Sequence, residues 1–259
     1  MRLKVLLIFL AFQLSAFGLY AGVHAFWPSF EQNIIAKTDQ TLKPASFRLS
    51  AEGKTTKIPG ETSNLIYETI RKLPANHTKS LQKIVLEYNP EASRGMGGAR
   101  TIILKSYNVS VEELNAVLIH EIGHTTDLGS LQAETNSAPS EFKDGTLPIY
   151  QGDPSLDFYR ISWDNEKQIK SVANNFDFVS GYAMTDPFED FAETYLFYIL
   201  HDDEFRFLAS QNDALLAKYN FMKNTVFAGR EYAAAHAATT DWNAFLRVWD
   251  VTLLPYSDF

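Results

Sequence analysis

The chain has 259 residues and a mass of 29.3 kDa, with 46% hydrophobic residues, a formal net charge of −8 and no cysteine. Such a composition is globular and long enough for one sizeable core or two small ones, and its acidic balance excludes nucleic acid and anionic membrane surfaces as partners. Without cysteine there are no disulfides, no thiol chemistry and no cysteine-based zymogen latch, so an exported protein of this kind is stabilised by core packing or a bound metal.

Residues 1–25 stand apart. Arg2 and Lys4 precede an apolar run from Val5 through Phe17, and Val23-His24-Ala25 offers small residues at the positions a signal peptidase reads. The stretch reads as a cleaved secretory signal, which makes the protein secreted or periplasmic with no membrane contact afterwards. The alternative is an uncleaved anchor, which Gln13 and Ser15 weaken as a span. Cleavage removes two positive charges and no acid, taking the net charge to −10. Residues 26–60 are weakly periodic, with AEGKTTKIPG (51–60) a turn-rich connection, and form a small subdomain or a mobile lead-in. Asn76 and Asn108 lie in glycosylation sequons, of consequence only where the host glycosylates.

Ser63–Leu73 is amphipathic at helical spacing, and Lys83–Tyr88 is a short buried strand stopped by Asn89-Pro90. The glycines Gly95, Gly97 and Gly98 invite a phosphate-loop reading. No Gly-Lys-Ser/Thr follows them, and the next element, Thr101–Lys105, is a strand rather than a helix, so nucleotide binding is rejected. That strand lies just upstream of the most informative helix and is expected at a sheet edge, where it could take an extended peptide by strand addition.

SVEELNAVLIHEIGHTTDLG (110–129) is a well-punctuated helix. Ser110 caps it with Glu113 at the third position as a capping box, an apolar stripe runs through Leu114, Val117, Leu118 and Ile122, and Gly129 ends it. His120 and His124 therefore share one face a turn apart and can reach one metal ion, with Glu121 beside the position where water would bind. With 6 His in the chain, a chance His-Glu-x-x-His is expected in on the order of one such sequence in a hundred. A metzincin would place its third ligand at position 130 and a glycine at 127; these are Ser130 and Asp127, so that pattern fails.

Residues 130–177 read as loop-rich, a mobile or substrate-shaping insertion. Asp186-Pro187 then opens a second helix, running to Leu200 and thick with Phe, Tyr and Leu, so largely buried. Glu189 and Glu193 lie four apart on one face inside it. Buried carboxylates need a partner, and a Zn²⁺ ion held by the two histidines is the strongest available; Glu189 could also complete a capping box, which would not account for Glu193. Asp190 points elsewhere and is expected as a surface or cap-region charge. His24 leaves with the signal, His77 is placed in a polar loop, and His201 closes the second helix against its dipole. Phe205–Phe227 reads as core helices and LRVWDVTLLPY (246–256) as packing without chemistry.

HEIGH followed well downstream by EDFAE resembles the gluzincin zinc metallopeptidases. SGYAMTDPFEDFAE (180–193) is similar to the catalytic domain of anthrax lethal factor and related secreted peptidases, where a tyrosine lies seven residues before the ligating glutamate; residue 182 is tyrosine here. The resemblance spans residues 94–200. It implies an α+β zincin-type domain with a small mixed sheet, the HExxH helix packed on the second helix, one Zn²⁺ per chain and hydrolysis of peptide or protein substrates. It implies Glu189 as third ligand, Glu193 as acceptor for a zinc-bound histidine, Tyr182 as donor to the oxyanion, Glu121 as general base and Asp127 as a further partner of the ligands. A hydrolase of cell-wall peptides and a non-catalytic protein that keeps zinc for stability remain the alternatives.

Overall fold

In the computed structural model, residues 47–132, 137–232 and 248–256 are described. The proposed signal at 1–25, residues 26–46 of the expected lead-in, and His24 and His236 lie outside them. The described chain is α+β with small sheets. Strands β1 (Arg48–Gly53), β2 (Lys83–Tyr88) and β4 (Thr101–Lys105) run parallel, and β3 (Gly95–Gly97) pairs antiparallel with β4, giving the order β1-β2-β4-β3. Helix α1 (Gly60–Lys72) makes the crossover from β1 to β2 that a parallel pair requires, burying Ile66, Thr69 and Ile70.

The expected edge position of Thr101–Lys105 is corrected: β4 lies inside the sheet with Ile102 and Leu104 at 0% exposure, and the edge strands are β1 and β3. Two of the three β3 residues are glycine, which lacks the β-branched signal by which a strand is recognised. Within the expected lead-in, residues 48–53 are part of the sheet, since β1 pairs with β2 along its full length.

Helix α2 (Val111–Thr125) begins where expected. Ser110 accepts from the Glu113 N–H at 3.1 Å, but the Glu113 carboxylate binds Arg94 Nε at 2.9 Å instead of closing a capping box. The helix stops at Thr125 and continues as a π-helical turn, Thr126–Ser130, rather than ending on Gly129. The Thr125 and Thr126 hydroxyls bond back to the carbonyls of Glu121 and Ile122, 3.2 and 2.7 Å away, competing with the backbone ladder at that point. Gly129 serves a close approach: a Cβ there would stand 2.6 Å from the Ala99 carbonyl oxygen.

The stretch expected to be loop contains two ribbons, β5 (Pro139–Asp144) with β6 (Leu147–Tyr150) and β7 (Trp163–Asn165) with β8 (Gln168–Ile169), and between them helix α3 (Ser155–Ser162). Helices α4 (Pro187–Leu200), α5 (Asp202–Ala209) and α6 (Asp213–Phe221) follow. Asp186 caps α4, accepting from the N–H groups of Phe188 and Glu189 at 2.9 Å each, with Pro187 in the first turn. Where α2 crosses α4, a Cβ on Gly123 would come within 3.0 Å of Ala192 Cα, so glycine lets the two backbones meet. No helix among the described residues is long and apolar enough to cross a membrane.

Two polar residues expected outside the core, Asp190 and His77, are buried. Asp190 is at 0% exposure between Lys218 Nζ, 2.6 and 2.8 Å from its two oxygens, and Trp163 Nε1 at 3.0 Å; Lys218 also donates to the Asp177 carbonyl. The α3 and α6 helices cover the side of α4 that a pattern of one helix could not assign. His77 is likewise enclosed. Its Nε2 donates to the Val226 carbonyl at 2.8 Å, so Nδ1 accepts from the Tyr195 hydroxyl at 2.8 Å in the neutral ring. Burial is the main cause that lowers its pKa from 6.5 to about 4.

Between those values the unfolded chain binds the proton and the folded chain does not, so folding stability falls as pH drops from about 6.5 to about 4, by up to about 1.4 kcal/mol per pH unit from this residue. Urea titrations across that range will show a flatter pH profile for His77→Gln than for the wild type; parallel profiles would refute the assignment.

Candidate metal centre

The α2–α4 crossing places His120 and His124 opposite Glu189. The His120 and His124 rings lie 5.0 Å apart between centroids, and one potential ligand atom from each of His120, His124 and Glu189 falls within 4.8 Å of the other two. Glu189 Oε2 is 3.2 Å from His120 Nε2 and 3.4 Å from His124 Nε2. Two imidazole nitrogens and a carboxylate oxygen at these separations attract one another only with positive charge among them, supplied by protons or a metal ion. The donor set, two neutral-capable imidazoles and one carboxylate from separate helices, suits a borderline divalent ion with one position left open. Among the described residues this is the group of His and acidic side chains that could hold a metal; His77 and His201 are not part of it.

Glu193, one turn beyond Glu189, is fully buried. Its Oε1 accepts from His120 Nδ1 at 3.0 Å, and its Oε2 accepts from the Ser180 hydroxyl at 2.6 Å and the Val251 backbone N–H at 2.8 Å. A carboxylate on Nδ1 fixes the imidazole's orientation and makes its Nε2 a better donor to a metal. The effect is visible in the charges: burial works to lower the His120 pKa, but hydrogen bonds to Glu189 and Glu193 outweigh it and raise the value well above 6.5. Burial conversely works to raise the Glu189 carboxyl, and its bonds to the two histidines hold it well below the usual carboxylate range.

Tyr182 lies in a short 3₁₀ turn (Tyr182–Met184) ahead of α4. Its hydroxyl donates to Glu189 Oε1 at 3.1 Å and its ring stacks near His120 at 6.2 Å between centroids. Asp127, in the π-helical turn, accepts from the Tyr159 hydroxyl at 2.6 Å; burial chiefly raises its pKa to about 7. The buried Asp127 meets His124 through the electrostatic field, with its bond going to Tyr159.

Glu121 is 4% exposed, its Oε2 has no hydrogen-bond partner, and burial raises its pKa against the opposing pull of His120 and His124. Its carboxylate lies against β3. A Cβ on Gly95 would collide with Glu121 Oε1, and one on Gly97 would stand 2.5 Å from Oε2. Two of the glycines rejected as a phosphate loop, Gly95 and Gly97, therefore have another use: they leave the space in which Glu121 sits. The centre opens on a cavity of about 560 Å³, walled also by Gly97, Val117, Leu128, Phe188 and Trp249.

Sequence reasoning missed Ser180, Gly95, Gly97 and Val251. Ser180 stood in the quoted SGYAM stretch with no role, and the others act through absent side chains or a backbone N–H, for which sequence carries no pattern. Comparison with protein-family models, with curated proteins and with solved structures finds no match for the chain. Function is read from the site itself.

Zn²⁺ titration against a competing chelator will separate the two glutamates. Glu189→Ala will lose metal affinity severely, whereas Glu193→Ala will weaken it about 10- to 100-fold with helicity retained. The reverse ranking would overturn the ligand assignment.

Proposed function

We propose that the protein is a zinc-dependent endopeptidase of gluzincin type, exported by the leader at residues 1–25. The observation that carries this reading is the convergence of His120, His124 and Glu189 beside a buried Glu121, one of whose oxygens has no hydrogen-bond partner, at the wall of an open cavity. A metal held for stability alone has no need of a free carboxylate next to its ligands, so the unpartnered oxygen favours catalysis over the purely structural alternative. The fit of the residues to zinc rests on the donor set and on Glu193 behind His120.

His120, His124 and Glu189 would hold the ion. When bound, Zn²⁺ supplies Lewis acidity that polarises a peptide carbonyl and brings the pKa of water towards about 7. Glu121 accepts the water's proton on its carboxylate as the oxygen attacks the carbonyl carbon, then returns that proton to the leaving amine. Its raised pKa, caused by burial, moves it towards the range in which one group both takes and gives a proton near neutrality. The Tyr182 hydroxyl, released from Glu189, donates to the carbonyl oxygen as negative charge grows there, a contribution of about 3 kcal/mol for a single donor. Among the described residues, the outer edge of β3 beside Glu121, rather than β4, is the strand edge available to align an extended peptide.

Two substitutions test the roles with a general protease substrate. Glu121→Gln will keep zinc and lose nearly all turnover, and Tyr182→Phe will keep zinc and lose roughly 10²-fold in kcat with KM little changed. Near-native turnover in Glu121→Gln would sink the mechanism. Gly95→Ala will act like a mild Glu121 variant, retaining zinc while kcat falls, because the added methyl meets only the side chains of Glu121 and Val117 and displaces the carboxylate.

A further inference from the structure

The C-terminal segment Val248–Thr252, far from both helices in sequence, reaches the centre at its least visible point. It runs beside the turn that carries Tyr182: the Gly181 N–H donates to the Val248 carbonyl at 2.9 Å and the Tyr182 N–H to the Trp249 carbonyl at 2.6 Å. Gly181 leaves room for the indole, since a Cβ there would lie 2.5 Å from Trp249 Cε3. Asp250 accepts from Arg94 Nη1 at 2.5 Å and caps the following 3₁₀ turn (Val251–Leu253) through the Thr252 N–H at 2.8 Å. These anchors aim the Val251 N–H into the core, where it donates to Glu193 Oε2.

We propose that Val251 is a positioning residue of the metal centre. Its backbone N–H, held in place by the docked segment 248–252, fixes Glu193 against His120 and so sets the affinity for the metal. The inference rests on the proposed metal-binding role of His120, His124 and Glu189. Glu193 is at 0% exposure, and its Oε2 is held by two donors, Ser180 and Val251. Loss of one leaves a buried carboxylate under-bonded, and it will relieve that by turning towards other donors, away from His120 Nδ1. Carboxylates in this position typically govern metal affinity by 10- to 100-fold. A further consequence is that the centre and the C-terminal segment are coupled: metal binding favours the docked segment, and the docked segment favours metal binding.

Proline tests this by removing one hydrogen atom's worth of bonding. Val251 opens the 3₁₀ turn, where the fixed φ of proline fits, and Asp250 has φ −143° and ψ 122°, a conformation proline tolerates in its predecessor. Zn²⁺ affinity by chelator competition and the visible spectrum of the Co²⁺-loaded protein are read for wild type, Val251→Pro and Val251→Ala. Val251→Pro will raise the Zn²⁺ Kd about 10- to 100-fold and shift the Co²⁺ bands. Val251→Ala, which keeps the N–H and loses packing, will lower the melting temperature while leaving Kd and spectrum close to wild type. In a Glu193→Ala background, Val251→Pro will add nothing further. A Val251→Pro protein with wild-type Kd, or equal losses in the proline and alanine variants, would overturn the inference and leave the metal reading standing. A wild type that binds neither ion would overturn both. If Val251→Pro does not fold, an amide-to-ester exchange at the same residue removes the same donor and is judged by the same outcomes.

Discussion

Two imidazole nitrogens and a carboxylate oxygen pressed together between two buried helices are held there only by protons or a metal ion lying among them. That requirement governs the rest of this structure. The helices meet at Gly123 and Ala192, where Gly123 adds no side chain to hold the backbones apart, and the crossing brings Glu189 within 3.4 Å of both histidines. The rotation of α4 is held from three sides: Asp186 caps its first turn, Asp190 is locked to Lys218 and Trp163, and Glu193 is bonded to His120, Ser180 and Val251. A hydrophobic helix with a uniform apolar surface could slide or turn at little cost. Buried polar pairs resist this, because breaking one by losing a partner typically costs about 3–5 kcal/mol. Asp190–Lys218 is thus a device for orientation, placed one residue from the proposed ligand.

The same constraint divides the carboxylates into two kinds. Glu189 and Glu193 are satisfied by histidines, hydroxyls and an N–H, and the bonds to His120 and His124 hold Glu189 in its charged form. Glu121 has an oxygen with no partner, a pKa raised by burial, and glycine-lined space beside it. Environments that push neighbouring titratable groups apart are the usual mark of separate roles in proton transfer. Here they support ligation for one glutamate and general-base work for the other, the division on which the proposed peptidase rests.

The parts of the site that act through side chains at fixed helical spacing were legible in the sequence. HEIGH on a helix capped by Ser110 and the Asp186-Pro187 opening of α4 both depend on local chemistry, and the structure forms them where local chemistry puts them. Tyr182 and the distinction between Glu189 and Glu193 came through resemblance, and the structure brings all three to the histidines. What was not legible depends on distant segments. Asp190 looked like a surface charge because Lys218, its partner, is 28 residues away on another helix. His77 looked like a loop residue because Tyr195 and Val226 close over it. β3 was hidden by its glycines, and the C-terminal segment contributes a backbone N–H that any residue but proline would supply.

The central claim is that His120, His124 and Glu189 bind one metal ion together. Zinc K-edge X-ray absorption on the purified protein, with metal content measured on the same sample, tests it most directly. The account predicts about one zinc per chain, with two imidazole nitrogens and oxygen ligands near 2.0–2.1 Å. It further predicts loss of the imidazole scattering signature in a His120→Ala, His124→Ala variant. A protein that retains no zinc, or zinc surrounded by oxygen alone, would contradict it.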